Sequence, residues 1–274
     1  MNSFLIFGGS KGIGRIISSH YSEKNEEITV FARNSRELFE LYENYGNRNT
    51  VIKAGDISSE KEVTGAFEFH NSTFGKYPTV VINTAAVQGP VGPFKETDTI
   101  AMEAALKINI MGSIYIARSA LKFFNNATKN SIILFSGGGA VFSRPNFSAY
   151  AISKTAILRL VEIISDELAA DGKKNIIINA VAPGAVKTRM TDEVISAGNK
   201  AGDKDFNETK NTAASGGTSP KLIIRLIDFL SNPSVNKGIS GRLIHVRESY
   251  IEFAEKYNGN YPADSGKLRR IPLE

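Results

Sequence analysis

Short runs of consecutive apolar residues alternate with longer amphipathic stretches along most of this chain, and that alternation limits its fold more than any other feature. Phe4–Phe7, Ile28–Ala32, Val51–Ala54, Val80–Ile82, Ile132–Phe135, Ile176–Val181 and Arg242–Val246 read as strands. Between them, Ile13–Tyr21, Ser35–Tyr45, Ser58–Phe69, Thr99–Phe124, Tyr150–Ala170 and Pro220–Leu230 carry helical patterning. Ser35 is the expected N-cap of the second helix, and Ser58 or Ser59 that of the third. Strands that are apolar on both faces need cover on both faces. The chain is therefore expected to be an α/β protein with a doubly wound parallel sheet, right-handed crossovers and a single domain.

Composition narrows the chemistry. The chain has 274 residues, 42% of them hydrophobic, which suffices for one large buried core. It has no cysteine, which removes disulfides, thiolate nucleophiles and sulfur-ligated metals together. Its three histidines, His20, His70 and His245, lie far apart in sequence, so no metal site is expected. The formal charge of +5 is scattered, with Arg269-Arg270 only a doublet, so nucleic acid is not an expected partner. The start has no basic segment before Phe4–Phe7, and no run of about 18 apolar residues is evident, so no membrane span is expected and the expected location is the cytoplasm. The segment from Asp192 to Ser219 has poor periodicity and many Gly, Asn, Lys, Ala and Thr residues. A loop this long in a compact domain points to a lid, at about 189–219, with Gly198, Gly202 and Gly216-Gly217 as hinges. Its few large apolar residues hint at a polar substrate. Residues 1–247 form the expected domain, and 248–274, with Pro262 and Pro272, a surface extension.

The run Gly8-Gly9-Ser10-Lys11-Gly12-Ile13-Gly14 joins the first strand to the first helix. Glycines there admit positive φ and bring backbone N–H groups to a pyrophosphate at a helix N-terminus. The spacing of a nucleotide-triphosphatase phosphate loop is absent. An enzyme that prefers NAD places an acid at the end of the second strand, to hold the ribose hydroxyls. Here Ala32 holds that place, followed by Arg33, Asn34 and Ser35, and Lys11 projects from the glycine turn. Two cations with small polar neighbours suit a 2′-phosphate, so NADP is expected over NAD. Read blandly, Arg33 and Lys11 are solvated surface charges.

Tyr150-Ala151-Ile152-Ser153-Lys154 opens a helix with the tyrosine and lysine one turn apart. A phenol with pKa near 10 exchanges protons poorly at neutral pH, and a neighbouring ammonium is expected to lower that value. Tyr150 then acts as acid or base toward an alcohol or carbonyl oxygen, and Lys154 reaches toward ribose hydroxyls.

With these motifs in this order, the chain from about Ser3 to Val246 resembles the short-chain dehydrogenase/reductase family, whose fold is the Rossmann fold. The family's glycine turn is T-G-x-x-x-G-x-G, and Phe7 stands where its threonine braces the turn, so another brace is needed here. The resemblance implies that Asp56 meets the adenine amine and Ile57 its ring. It sets Asn83-Thr84-Ala85-Ala86 on the family's N-N-A-G, with the Asn83 amide pinning the sheet end. It makes Asn109 the helix residue whose carbonyl holds a water that relays protons to the lysine. It sets Pro183-Gly184, Val186 and Thr188 around the carboxamide and phosphate. The family serine, which bonds the substrate oxygen, lies thirteen residues before the tyrosine. That count lands on Gly137, one residue past Ser136. Ser136 is the expected donor, with Ser148 and Ser143 as alternatives, or no serine at all. The activity implied is hydride transfer between nicotinamide and a ketone or secondary alcohol, as in 3-oxoacyl reductases. A sugar or polyol dehydrogenase is the alternative, and a non-catalytic NADP-sensing regulator the reading of another class. A small-molecule substrate and a homodimer or homotetramer, paired through the long helices, complete the expectation.

Overall fold

The computed structural model describes residues 2–270, so Pro272 lies outside the described residues. Its centre is a seven-stranded, all-parallel sheet in the order β3-β2-β1-β4-β5-β6-β7. The strands are β1 (Ser3–Phe7), β2 (Glu27–Ala32), β3 (Thr50–Ala54), β4 (Val80–Asn83), β5 (Asn130–Phe135), β6 (Ile176–Ala182) and β7 (Leu243–His245). Successive residues of one strand point to opposite faces. Phe4 and Ile6 accordingly enter one core with α1 (Gly12–Glu23), α2 (Ser35–Tyr45) and α9 (Pro220–Ser231). Leu5 and Phe7 enter the other core with α3 (Glu60–Phe74), α5 (Gly112–Phe123) and α6 (Ser148–Ala170). This is the single-domain α/β doubly wound sheet that the patterning predicts. Strand order reverses between β1 and β4, which opens the crevice where such folds bind ligands.

Several elements differ from their sequence reading. The cap of α2 is Asn34, not Ser35; its side-chain oxygen accepts from the backbone N–H groups of Arg36 and Glu37. The cap of α3 is Ser59, through Glu62 N. The long helix from Thr99 is α4 (Thr99–Leu106), a π turn (Lys107–Met111) and α5. That helix is long and apolar enough to cross a membrane, contrary to the expectation that no such stretch exists. About a third of its most apolar stretch (33%) is buried, with Ile116, Ala117 and Ala120 in the second core.

Residues 189–219 are not a bare loop. They form α7 (Arg189–Ala197), a 3-10 turn (Gly198–Ala201) and α8 (Asp203–Ser215). All four glycines read as hinges have positive φ: Gly198 (57), Gly202 (78), Gly216 (79) and Gly217 (73). The residues after β7 are more than a surface extension. Tyr250 and Ala254 of α11 (Tyr250–Tyr257) are buried in the first core. Past a short α10 (Pro233–Asn236), the Arg242 side chain donates to the carbonyls of Pro262 (2.9 Å) and Ser265 and lies over the Phe253 and Tyr261 rings. The tail then crosses α6, where Leu268 N–H donates to Glu162. An arginine buried beneath its own chain's tail carries no periodic signature, so patterning could not find this packing.

Candidate active site

The C-terminal ends of β1, β2, β4, β5 and β6 bring the candidate residues to one edge of the sheet. At β1, Gly8 turns with φ +77 and donates to Phe31 O at 2.8 Å. A Cβ on Gly8 would sit 2.5 Å from Ala85 N, and one on Gly14 would sit 2.1 Å from Gly8 O. The chain thus reaches this tight turn only without side chains, leaving a cradle open to a phosphate. Gly12 faces Thr188, whose Cγ2 lies 3.4 Å from the place of a Gly12 Cβ. Ile13 packs against the first core. The missing brace at Phe7 is supplied from β4: Thr84 donates to Phe7 O from both its backbone N and its Oγ1, each at 2.9 Å. Two departures from the family pattern, Phe7 and Thr84, therefore compensate each other.

Arg33 is exposed just past the end of β2. The Asn34 side-chain oxygen caps α2, which leaves its amide nitrogen as the group able to donate to a phosphate. Ser10 and Lys11 both face Glu37, a residue that the sequence reading passed over. Asp56 accepts from Ser58 N at 2.8 Å. The Ile57 side chain is buried in the second core against Gly112. Asn83 bonds Ser113 Oγ (3.1 Å) and Ala85 N (3.0 Å), tying β4 to α5 and to the next turn. Pro183 follows β6, Gly184 comes next with φ +71, and Val186 pairs with Gly217. Thr188 is the N-cap of α7, its N–H donating to Thr191 Oγ1 at 3.0 Å.

Tyr150 and Lys154 lie on one face of α6, and the ammonium sits 5.2 Å from the Tyr150 ring centroid. The Lys154 ammonium donates to Phe135 O at 2.9 Å. Burial lowers Lys154 to about 8. Burial also raises the Tyr150 phenol above its usual range, against the opposing pull of the Arg144 guanidinium. This reverses the expected direction for the phenol: desolvation outweighs the pull of the Arg144 guanidinium. Asn109 is in the π turn; its side chain bonds Val87 N and O, each at 2.9 Å, and Ser153 Oγ at 3.1 Å. Its carbonyl accepts from Ser113 Oγ at 2.7 Å.

Ser136 does not face the tyrosine. Its hydroxyl is buried and donates to Lys154 O at 3.0 Å. Gly137 is the residue turned toward the phenol: a Cβ there would lie 3.8 Å from Tyr150 Oη, with nothing else within 4 Å. The glycine run adds no bulge that would bring Ser136 round. Ser143 is exposed, and Ser148 opens α6. Arg144, a second residue missed in the sequence, stands over Phe147 (3.9 Å) and near Tyr150 (5.7 Å), and donates to Asp205 of α8 at 2.6 Å. Its only sequence signal is a lone cation between the fifth strand and the tyrosine.

This arrangement, a glycine cradle beside a tyrosine–lysine pair on the carboxyl edge of a parallel sheet, agrees with the comparisons. A sequence model described as short chain dehydrogenase matches residues 2–198. The chain belongs to that family, oxidoreductases that bind a nicotinamide cofactor. An Arabidopsis thaliana NADPH-dependent aldehyde reductase-like protein, chloroplastic, is 25% identical over 266 residues, covering 90% of this chain and 93% of that one. A Bos taurus 3-oxoacyl-[acyl-carrier-protein] reductase is 26% identical over 189 residues, covering 69% and 77%. The solved structure of actinorhodin polyketide ketoreductase with NADPH superposes with a TM-score of 0.78 at 20% identity, covering 95% of this chain and 98% of that one.

Proposed function

We propose that this protein is an NADP-dependent reductase of ketone or aldehyde carbonyls, working in reverse on the corresponding alcohols. The observation that carries the reading is the Tyr150–Lys154 pair beside the open face of Gly137. Gly8, Gly12 and Gly14 would cradle the pyrophosphate, while Ser10, Lys11 and Arg33 would meet the 2′-phosphate. Asp56, Asn83, Ala85, Pro183, Gly184, Val186 and Thr188 complete the cofactor's surroundings. The donor set is cationic, no acid ends β2, and the cradle closes if a Cβ is added, so the residues fit the group. When bound, the nicotinamide supplies or takes the hydride.

The protein's own part is to hold and move one proton. In the reductive direction Tyr150 Oη donates a proton to the carbonyl oxygen as the carbon accepts the hydride; in the oxidative direction it takes that proton back. Lys154, fixed by Phe135 O, stabilises the phenolate that remains. Apolar side chains, Val91, Phe147, Val194, Ala201 and Phe206, form a cluster with Tyr150, and the Arg144 guanidinium stands beside them. They favour a carbonyl with a hydrocarbon or acyl substituent over a polyol, against the hint from lid composition. The names of the bovine and Arabidopsis relatives support the same direction.

Oxidation of NADPH by a panel of ketones, aldehydes, sugars and acyl thioesters tests the reading. Tyr150→Phe is expected to lower kcat/KM by roughly 10²–10⁴ while NADPH binding, followed by its fluorescence, stays unchanged. Turnover surviving above a few per cent would remove Tyr150 from the proton-transfer role. A protein that binds NADPH but turns over nothing in the panel would favour the regulator reading.

A further inference from the structure

We propose that Glu37 is a built-in counter-ion for the site of the cofactor's 2′-phosphate, and that its displacement sets how far NADPH is preferred over NADH. The inference rests on the NADP reading above and names the residue that limits it.

Glu37 lies in the first turn of α2, just past the end of β2. One carboxylate oxygen accepts from Ser10 Oγ at 2.9 Å, and the other lies 3.5 Å from Lys11 Nζ. Both partners belong to the glycine turn. Ser10 is 3% exposed, so its hydroxyl has little recourse to water. A carboxylate therefore stands in for the anion that Ser10 and Lys11 would otherwise receive.

Helix stability does not call for this contact. The N–H of Glu37 is already capped by Asn34. The Lys11–Glu37 pair, with side chains 50% and 26% exposed, is of the solvated kind that adds little to stability. What the contact does change is the local charge. Lys11 and Arg33 bring two positive charges to the end of β2, and Glu37 cancels one. An incoming 2′-phosphate must take the same donors and push a carboxylate aside. A ribose with a free 2′-hydroxyl meets no such repulsion and can donate to Glu37 where it stands. The single acid thus handicaps NADPH and gives NADH an acceptor, although the strand-end acid that an NAD enzyme uses is absent.

The test is direct binding of NADPH, NADH and 2′-AMP to the intact protein, by fluorescence or calorimetry, with no turnover needed. Glu37→Gln keeps the hydrogen-bonding shape and removes the charge. It is expected to tighten NADPH and 2′-AMP by about tenfold, from relief of one like-charge contact, and to leave NADH unchanged or weaker. The gain is expected to shrink at high salt. An unchanged NADPH-to-NADH ratio, or weaker NADPH binding, would overturn the counter-ion role. Lys11→Met separates this from the parent reading: it is expected to weaken NADPH and spare NADH. If Lys11→Met leaves NADPH binding intact, the NADP reading itself fails, and the role of Glu37 with it.

Discussion

Gly137, not Ser136, holds the place that counting thirteen residues back from the tyrosine reaches. The hydroxyl at 136 serves the backbone of α6, and the position facing the phenol has no side chain. Backbone strain does not demand glycine there: Gly137 has φ 170 and ψ 178, extended values open to any residue. Gly137→Ser is therefore expected to fold normally and to place a donor beside the substrate oxygen. One such donor is worth roughly 10²–10³ in rate where it is preorganised. Introduced into a site not shaped around it, it is expected to raise kcat/KM for small ketones by about tenfold. No gain with any ketone in the panel would mean that the carbonyl oxygen does not sit between Tyr150 and residue 137. Thr84 teaches the converse: a substitution that looks like erosion of one motif repairs the loss in another.

Among elements, the pair α7–α8 depends on a small set of contacts. Val194 and Ala201 are buried against Phe147, next to Tyr150, and Arg144 ties the loop before α6 to Asp205. The helices are bounded by positive-φ glycines that move without side-chain penalty. Asp205→Asn weakens a half-buried ion pair worth about 1 kcal/mol, and so should increase the open population about fivefold. Limited proteolysis within 198–217 is expected to quicken by that factor while the melting temperature barely changes. Cleavage at the wild-type rate would show that Arg144 holds only the loop, not the helix. The π turn at Lys107–Met111 acts differently: it inserts Asn109 toward Val87 and Ser153, joining α5 to the strand-end loop of β4 and to the helix of Tyr150 and Lys154.

At the scale of the whole molecule, one buried histidine ties three elements together. His70 of α3 bonds Ser3 Oγ of β1 at 2.7 Å and Thr29 Oγ1 of β2 at 2.8 Å, with no exposed surface. Burial lowers its pKa from 6.5 to about 4. The unfolded chain therefore takes up a proton below 6.5 that the folded protein refuses until about 4. The resulting stability is fully present above pH 6.5 and is lost as pH falls toward 4, by about 3 kcal/mol. Urea unfolding at pH 7 and pH 4.5 measures this loss, and His70→Gln is expected to remove most of the difference. An equal drop in the variant would assign acid sensitivity to the carboxylates. The tail past β7 adds a second long-range tie, through Arg242 and Glu162, across residues that a sequence reading treats as an appendage.

The parallel sheet, its two faces of helices, the glycine turn and the tyrosine–lysine turn were all readable in one dimension. Each depends on spacing within a few residues, and backbone periodicity and steric rules act at that range. What needed three dimensions was every pairing of residues far apart in the chain: Thr84 with Phe7, Glu37 with Ser10 and Lys11, Arg144 with Asp205, and the tail with α6. So did the direction in which Ser136 points and the sign of the Tyr150 shift. Hydrogen bonds and desolvation depend on which surfaces meet once the chain is packed, and only the folded arrangement decides that.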